Sequence, residues 1–161
     1  MSAWEAVGKS DEWYTPKYIF DSLGCEFDQD VAAPEKRIHC YVPALDFITQ
    51  ASLEKPWQGF VWCNPPFGKR NEIGLWLDKM YLHGDGIALS PDRTSAPWWQ
   101  KAAKEADCIL FVAGKIKFIK PDGSVGKSPG TGTTLFGYGV KAVECLMNAR
   151  NNGLGILVSI P

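Results

Sequence analysis

Apolar positions along the chain fall into two kinds of stretch. Some are short continuous runs, and others recur at helical spacing. The segment "YTPKYIFDSLG" predicts a helix with Thr15 as N-cap, Pro16 at the first helical position and Gly24 as the stop. "EFDQDVAAP" predicts a strand ending near Asp30 and closed by Pro34, and a second strand is expected near "HCYV". "GFVWC" is a short apolar run of the kind that forms a core strand. "NEIGLWLDKMYLHG" places Ile73, Leu77, Met80 and Tyr81 at helical spacing, with Gly84 after the end. "DGIALSP" predicts a strand, "SAPWWQKAAKEA" a helix and "DCILFVA" another strand. The last third reads as "KIKFIK", with Lys115 and Lys117 on one strand face, a Gly/Ser/Pro-rich mobile loop over 121–132, "TTLFGYG", a helix near 140–151 and "LGILVSI".

Most of the predicted strands are apolar throughout rather than alternating. That pattern predicts a sheet covered on both faces, hence an α/β fold with a largely parallel sheet. Such sheets bind ligands at the carboxyl ends of their strands. Asp30, Asn64 and the run Ser90-Pro91-Asp92 all fall at predicted strand ends, so they should converge on one rim.

The strand Phe60–Cys63 runs directly into Asn64-Pro65-Pro66-Phe67. Two consecutive prolines cannot donate to a sheet ladder, and each drives its predecessor out of the helical region. The corner therefore holds one amide and one aromatic ring rigidly at the sheet rim. An exocyclic amine on a base ring is a poor nucleophile, because its lone pair is delocalised into the ring. Acceptors held against its hydrogens favour the pyramidal nitrogen of a transition state over the flat ground state. The Asn64 side-chain carbonyl and the Pro65 backbone carbonyl are candidates for those acceptors. Phe67 offers a face for a base taken out of its stack.

The tetrapeptide resembles the catalytic motif of S-adenosylmethionine-dependent amino-methyltransferases that act on adenine N6, cytosine N4 or protein glutamine. The order "DEWYTPKYIFDSLGCEFDQDVAAP", "LDF", "VWCNPPFG", "EIGLWL", "LSPDRTSAPWW" and "TLFGYG" narrows this. Over about residues 11–160 it is similar to the small phage and prophage DNA N-6-adenine methyltransferases. The resemblance implies a Rossmann-like fold, mostly parallel with helices on both faces, S-adenosylmethionine as cofactor and DNA as partner. It implies catalytic roles for Asn64, Pro65, Pro66 and Phe67. It implies cofactor contacts for Thr15 and Pro16, for Asp30, Val31 and Ala32, and for Asp46 and Phe47. Ser90, Pro91 and Arg93 would line the substrate side, and Lys69 and Arg70 would meet phosphates. One departure stands out: "DVAAP" replaces the Gly-x-Gly loop of larger methyltransferases. With no separate target-recognition domain, sequence choice would come from the loops 35–56, 91–97 and 114–132.

Composition bounds these readings. The chain has 161 residues, 45% hydrophobic and 22% charged, as one globular domain does, with residues 1–10 expected as an N-terminal tail. No apolar run approaches the ~20 residues of a membrane span, and no signal peptide is evident, so a cytoplasmic location is expected. Five scattered cysteines without a C-x-x-C pair, and two histidines, argue against a zinc site or a disulfide framework. The net charge of −1 is unlike that of a dedicated basic nucleic-acid binder, so DNA would have to meet a local basic patch in a salt-sensitive way. Two readings stand beside each other at several residues: Asp46 as a cofactor contact or the cap of a short helix "FITQASL", Trp98 and Trp99 as base-stacking rings or as core, and Lys115, Lys117, Lys120 and Lys127 as a phosphate-binding strip or, by default, a solvated strand face. A phosphate-loop reading of "GSVGKSPGTGTT" fails on spacing. Two rivals stay open: the same chemistry on RNA, cytosine N4 or protein glutamine, and an inactive nucleic-acid-binding module of the same fold.

Overall fold

The computed structural model describes residues 13–66 and 72–159. Seven strands form one sheet: β1 Phe27–Asp30, β2 Ala44–Phe47, β3 Val61–Cys63, β4 Gly86–Pro91, β5 Cys108–Val112, β6 Thr133–Tyr138 and β7 Gly155–Ser159. Four helices accompany them: α1 Lys17–Leu23, α2 Glu72–His83, α3 Pro97–Glu105 and α4 Val140–Asn151. A 3-10 turn spans Ser52–Glu54.

The strand order is β2-β1-β3-β4-β6-β5-β7. β1 to β4 are mutually parallel, whereas β6 runs antiparallel to both β4 and β5, and β7 runs antiparallel to β5. The expectation of a mostly parallel sheet is thus corrected to a mixed one. The physical reason is that continuous apolar runs report burial on both faces, not strand direction. β6 is buried at every position although it is antiparallel to both neighbours. Side chains alternate between the two faces: Trp62, Ile87, Leu89, Cys108 and Leu110 pack with α1 and α4. Val61, Cys63, Ala88 and Ile109 pack with α2 and α3. The fold is therefore a mixed α/β sheet with helices on both faces.

Several local expectations change. The second strand is Ala44–Phe47, not "HCYV". Pro43 lacks an N–H and so precedes the strand, where its carbonyl accepts from Phe27 N at 2.8 Å. α1 starts at Lys17 with Pro16 as N-cap, so Thr15 makes no capping bond and Pro16 sits before the first helical residue. Gly24 does stop α1, in the left-handed region at φ 66°. Tyr81 is 46% exposed instead of facing the core, while Trp76 is buried on α2. "KIKFIK" is not a strand; only Ile119 forms isolated bridges, to Tyr14 and Val125. Asp46 caps no helix and lies within β2.

Polar and aromatic groups together hold β1 to its two neighbours. Gln29 bridges the neighbours of β1, donating to Asp46 Oδ2 at 2.9 Å and accepting from Gln58 N at 2.7 Å. Asp28 accepts from Phe60 N at 2.7 Å, and a Cβ on Gly59 (φ 71°) would lie 2.2 Å from Asp28 Oδ2, so only glycine fits there. Beneath the rim, Trp62 packs edge-on to Phe20 at 4.8 Å, and Phe27 stacks on Phe60 at 4.9 Å. Burial of each of these rings contributes about 1.5–3 kcal/mol, which holds β1 and β3 firmly side by side.

Candidate active site

The chain leaves β1 toward β2 on one side and reaches β3 on the other, so the strand order reverses between β1 and β3. A crevice opens outside the carboxyl ends at such a reversal. Here it is a cavity of about 460 Å³, within the range of small-molecule sites. Its floor is the end of β1 and β3, and one wall is the stretch 48–54 after β2.

Asp30 ends β1 and is 2% exposed. Its carboxylate accepts from Ala32 N at 3.2 Å and from the Cys40 thiol at 3.9 Å. Burial pushes this carboxyl up to about 7, against the pull of those two hydrogen bonds. Burial likewise raises the thiols of Cys40 and Cys63, which disfavours either as a thiolate nucleophile. Val31 and Ala32 follow on the cavity wall. Ala51 is the only non-glycine residue with positive φ among the described residues, so Ala32 and Ala33 adopt ordinary backbone. The turn that replaces Gly-x-Gly therefore needs no glycine.

Asn64 follows β3 and faces the same cavity. Its Nδ2 donates to the Trp13 carbonyl and to Thr15 Oγ1, both at 3.3 Å. The Trp13 carbonyl can only accept, so it fixes which end of the amide is nitrogen. The Asn64 Oδ1 is thereby left as a buried acceptor with no partner among the described residues. The indole N–H groups of Trp13 and Trp76, two further lining residues, are also buried without partners among the described residues. A buried polar atom left unpaired costs about 1–3 kcal/mol, and all three of these atoms belong to residues that line the cavity.

The charge of the cavity is one-sided. Asp30, Glu35, Glu54 and Glu72 line it, and no described lysine, arginine or histidine does. Such walls suit a ligand carrying positive charge and repel a phosphate chain.

Residues 5–135 match the family model of the DNA N-6-adenine-methyltransferases (Dam). The chain belongs to this family. Comparisons with curated proteins and with solved structures returned no match. The enzyme is thus a DNA methyltransferase acting on adenine N6, and the match spans β1 to β5 and the start of β6. The net charge of −1 does not exclude DNA as substrate.

The structure of this methyltransferase brings Thr15, Asp30, Val31, Ala32, Asn64, Pro65 and Pro66 together on the cavity. Pro16 is buried one step away at the start of α1. Asp46 and Phe47 are not on the cavity; Asp46 binds Gln29, and the Arg37 guanidinium lies 4.5 Å over the Phe47 ring. Ser90, Pro91 and Arg93 are not on it either, and the Ser90 hydroxyl donates to the Pro91 carbonyl at 3.1 Å. Phe67, Lys69 and Arg70 lie outside the described residues. Glu35, Cys40 and residues 48–54 line the cavity, although the loop 35–56 was expected to select the target sequence. Trp13 and Trp76 were missed by sequence reasoning. A signal for Trp13 existed in its place two residues before Thr15-Pro16, whereas Trp76 reads only as a core position of α2. Among the described residues no group of three or more His, Cys, Asp or Glu side chains could hold a metal, and no helix is long and apolar enough to cross a membrane.

Proposed function

We propose that the methyl donor is S-adenosylmethionine, held in the cavity between β1 and β3 of a Rossmann-like fold, and that Asn64 presents the target amine to it. The observation that supports this best is the fixed amide of Asn64. Its nitrogen is tied to Trp13 and Thr15, and its carbonyl oxygen is unpaired among the described residues.

The cavity fits this donor on two counts: its size, and walls of four carboxyl groups with no described cation. When bound, S-adenosylmethionine supplies an electrophilic methyl on a sulfonium sulfur that keeps the electron pair of the broken C–S bond. Asp30, Glu35 and Glu54 would hold its cationic groups, and the Val31–Ala33 turn would take its apolar surface. Asn64 Oδ1, with the Pro65 carbonyl, would accept the two hydrogens of adenine N6. That pairing favours the pyramidal nitrogen, whose lone pair is then free to attack. The N6 proton released on methylation passes to water, and no buried base is required. Phe67 would stack on the flipped base, and Pro65 and Pro66 keep the corner stiff.

The test is transfer of radiolabelled methyl from S-adenosylmethionine to unmethylated duplex DNA, to single-stranded DNA and to RNA. Label recovered as N6-methyladenine from DNA is expected. A chain that neither binds S-adenosylmethionine by calorimetry nor labels DNA would overturn the assignment of the cavity.

A further inference from the structure

We infer that the connection after β5, residues 115–127, is a docking arm for the phosphate backbone of duplex DNA, fastened to the segment that holds Asn64. This rests on the reading of the cavity given above. Acidic walls exclude phosphates from the cavity itself, so the polyanion has to be held beside it.

Residues 115–127 carry Lys115, Lys117, Lys120 and Lys127 against one acidic residue, Asp122, in a chain of net charge −1. All four lysines are exposed, and none makes an ion pair within 4 Å among the described residues. Asp122 is already engaged, accepting from Ser124 N at 2.8 Å and from Ser124 Oγ at 2.6 Å. The arm folds back on itself: Lys120 N donates to Ser124 O, Gly126 N donates to Phe118 O, and Ile119 bridges Val125 antiparallel. That register sets Lys117 opposite Lys127. Like charges directly across such a pair destabilise the isolated hairpin, and a polyanion laid over them removes the penalty.

The arm is anchored, as a docking element has to be. Ile116 and Phe118 are fully buried in the core between the exposed lysines. Tyr14 and Ile119 exchange backbone hydrogen bonds at 2.9 and 2.8 Å. The ring of Trp13 packs against Gly126, where a Cβ would meet it at 2.7 Å. Trp13 and Thr15 are the partners of the Asn64 amide, and Trp13 and Tyr14 line the cavity. The lysines are thus carried at the same rim as the cavity, on backbone bonded directly to its wall.

Two paired variants, K117Q/K127Q and K115Q/K120Q, test the arm against K104Q/K141Q, which removes two exposed lysines at the opposite rim. The measurements are duplex affinity as a function of salt, steady-state methyl transfer and Tm. Every lysine that no longer meets a phosphate should lower the slope of log K against log salt by about 0.9. Each arm pair should therefore flatten the slope by roughly 2 and raise KM for DNA about tenfold, with kcat and S-adenosylmethionine affinity unchanged. Removing the opposed pair should leave Tm equal or higher, so weaker binding cannot be misfolding. Arm variants that match the K104Q/K141Q control in slope and KM, while the unaltered chain methylates DNA, would overturn the arm and leave the proposed function standing. An unaltered chain with no salt-dependent DNA binding would likewise overturn the arm, whereas one that neither binds S-adenosylmethionine nor labels DNA would overturn the reading of the cavity on which the arm rests.

Discussion

Two parts of the same sheet rim can be compared, where β1 and β3 end and where β4 ends beside the start of β6. Both carry buried polar groups. At β4–β6, Trp99 Nε1 donates to Thr134 Oγ1 at 3.3 Å, and Thr134 donates to Asp92 at 2.7 Å. Next to that chain, the Thr133 hydroxyl is buried with no partner among the described residues. At β1–β3 the unpaired atoms belong to Asn64, Trp13 and Trp76, and all three residues line the cavity. Thr133 does not line it. Unpaired buried polar atoms thus occur in both places, but only at β1 and β3 do their residues line a cavity. Strand direction produces the difference. Parallel β1 and β3 diverge in connectivity and leave a crevice, whereas antiparallel β6 brings its own first residues up against β4 and fills the space.

The largest expected effect breaks the comparison at its strongest point. Asn64→Ala removes the acceptor, and deleting one preorganised hydrogen-bonding group of this kind lowers kcat by about 10²–10³. The expected result is methyl transfer reduced by that factor at unchanged S-adenosylmethionine affinity. Activity within threefold of the original would remove Asn64 from the reaction.

The next effect concerns the closed end. Thr134→Val strands the Trp99 N–H and one oxygen of Asp92, so unfolding free energy should fall by about 1–3 kcal/mol. Thr133→Val deletes a hydroxyl that has no partner among the described residues and should be neutral or stabilising. Chemical denaturation of the two variants measures the contrast. Equal losses would show that the two hydroxyls are not in different states. Neither change should alter kcat of the folded enzyme.

How far the sequence made this comparison visible depends on which kind of signal was available. The corner at Asn64 was legible because Pro65 and Pro66 leave the chain few conformations. Six of the seven strands and all four helices follow from apolar spacing. β2 was misplaced because "HCYV" looks more strand-like than "ALDF", and only the missing N–H of Pro43 decides between them. That error hid the wall at 48–54, since ligand contacts are sought just beyond a strand end. The mixed direction of the sheet was not legible at all, because strands buried on both faces carry the same residues whether parallel or antiparallel. Thr15 was expected to cap α1, and its bond to Asn64 joins positions 49 apart, which no local pattern reports.

A comparable effect separates the two ends by pH. The Asp30 carboxyl titrates at about 7 when folded, against an ordinary value of 3.8. Between those values the folded chain keeps a proton that the unfolded chain has released. Unfolding free energy should therefore fall as pH rises from about 4 to 7, by about 1 kcal/mol per unit from this group, and level off above it. Asp30→Asn should abolish that contribution, so the stability difference between parent and variant shrinks or reverses with rising pH. Parallel curves in thermal unfolding from pH 4 to 8 would contradict the burial of this charge. The same variant should weaken S-adenosylmethionine binding at pH 8, where the parent carboxyl is ionised.

The smallest effect sharpens the site most. Thr15→Val preserves shape but takes away one of the two acceptors of the Asn64 amide nitrogen, leaving Trp13 O alone. A single neutral hydrogen bond of this length contributes about 0.5–1.5 kcal/mol, so the variant should lose roughly two- to tenfold in kcat. The loss should fall on kcat and leave KM for DNA unchanged, because Thr15 would act through Asn64 on the reacting amine. Thr15→Ser restores the hydroxyl and should recover most of the activity. If Thr15 served only to contact the methyl donor, valine would instead raise KM for S-adenosylmethionine at constant kcat. If it served only to start α1, valine would lower Tm while serine would not, and neither would change kcat. The split between kcat and the two KM values thus decides whether the unpaired oxygen of Asn64 is held in place by its neighbours or merely left over.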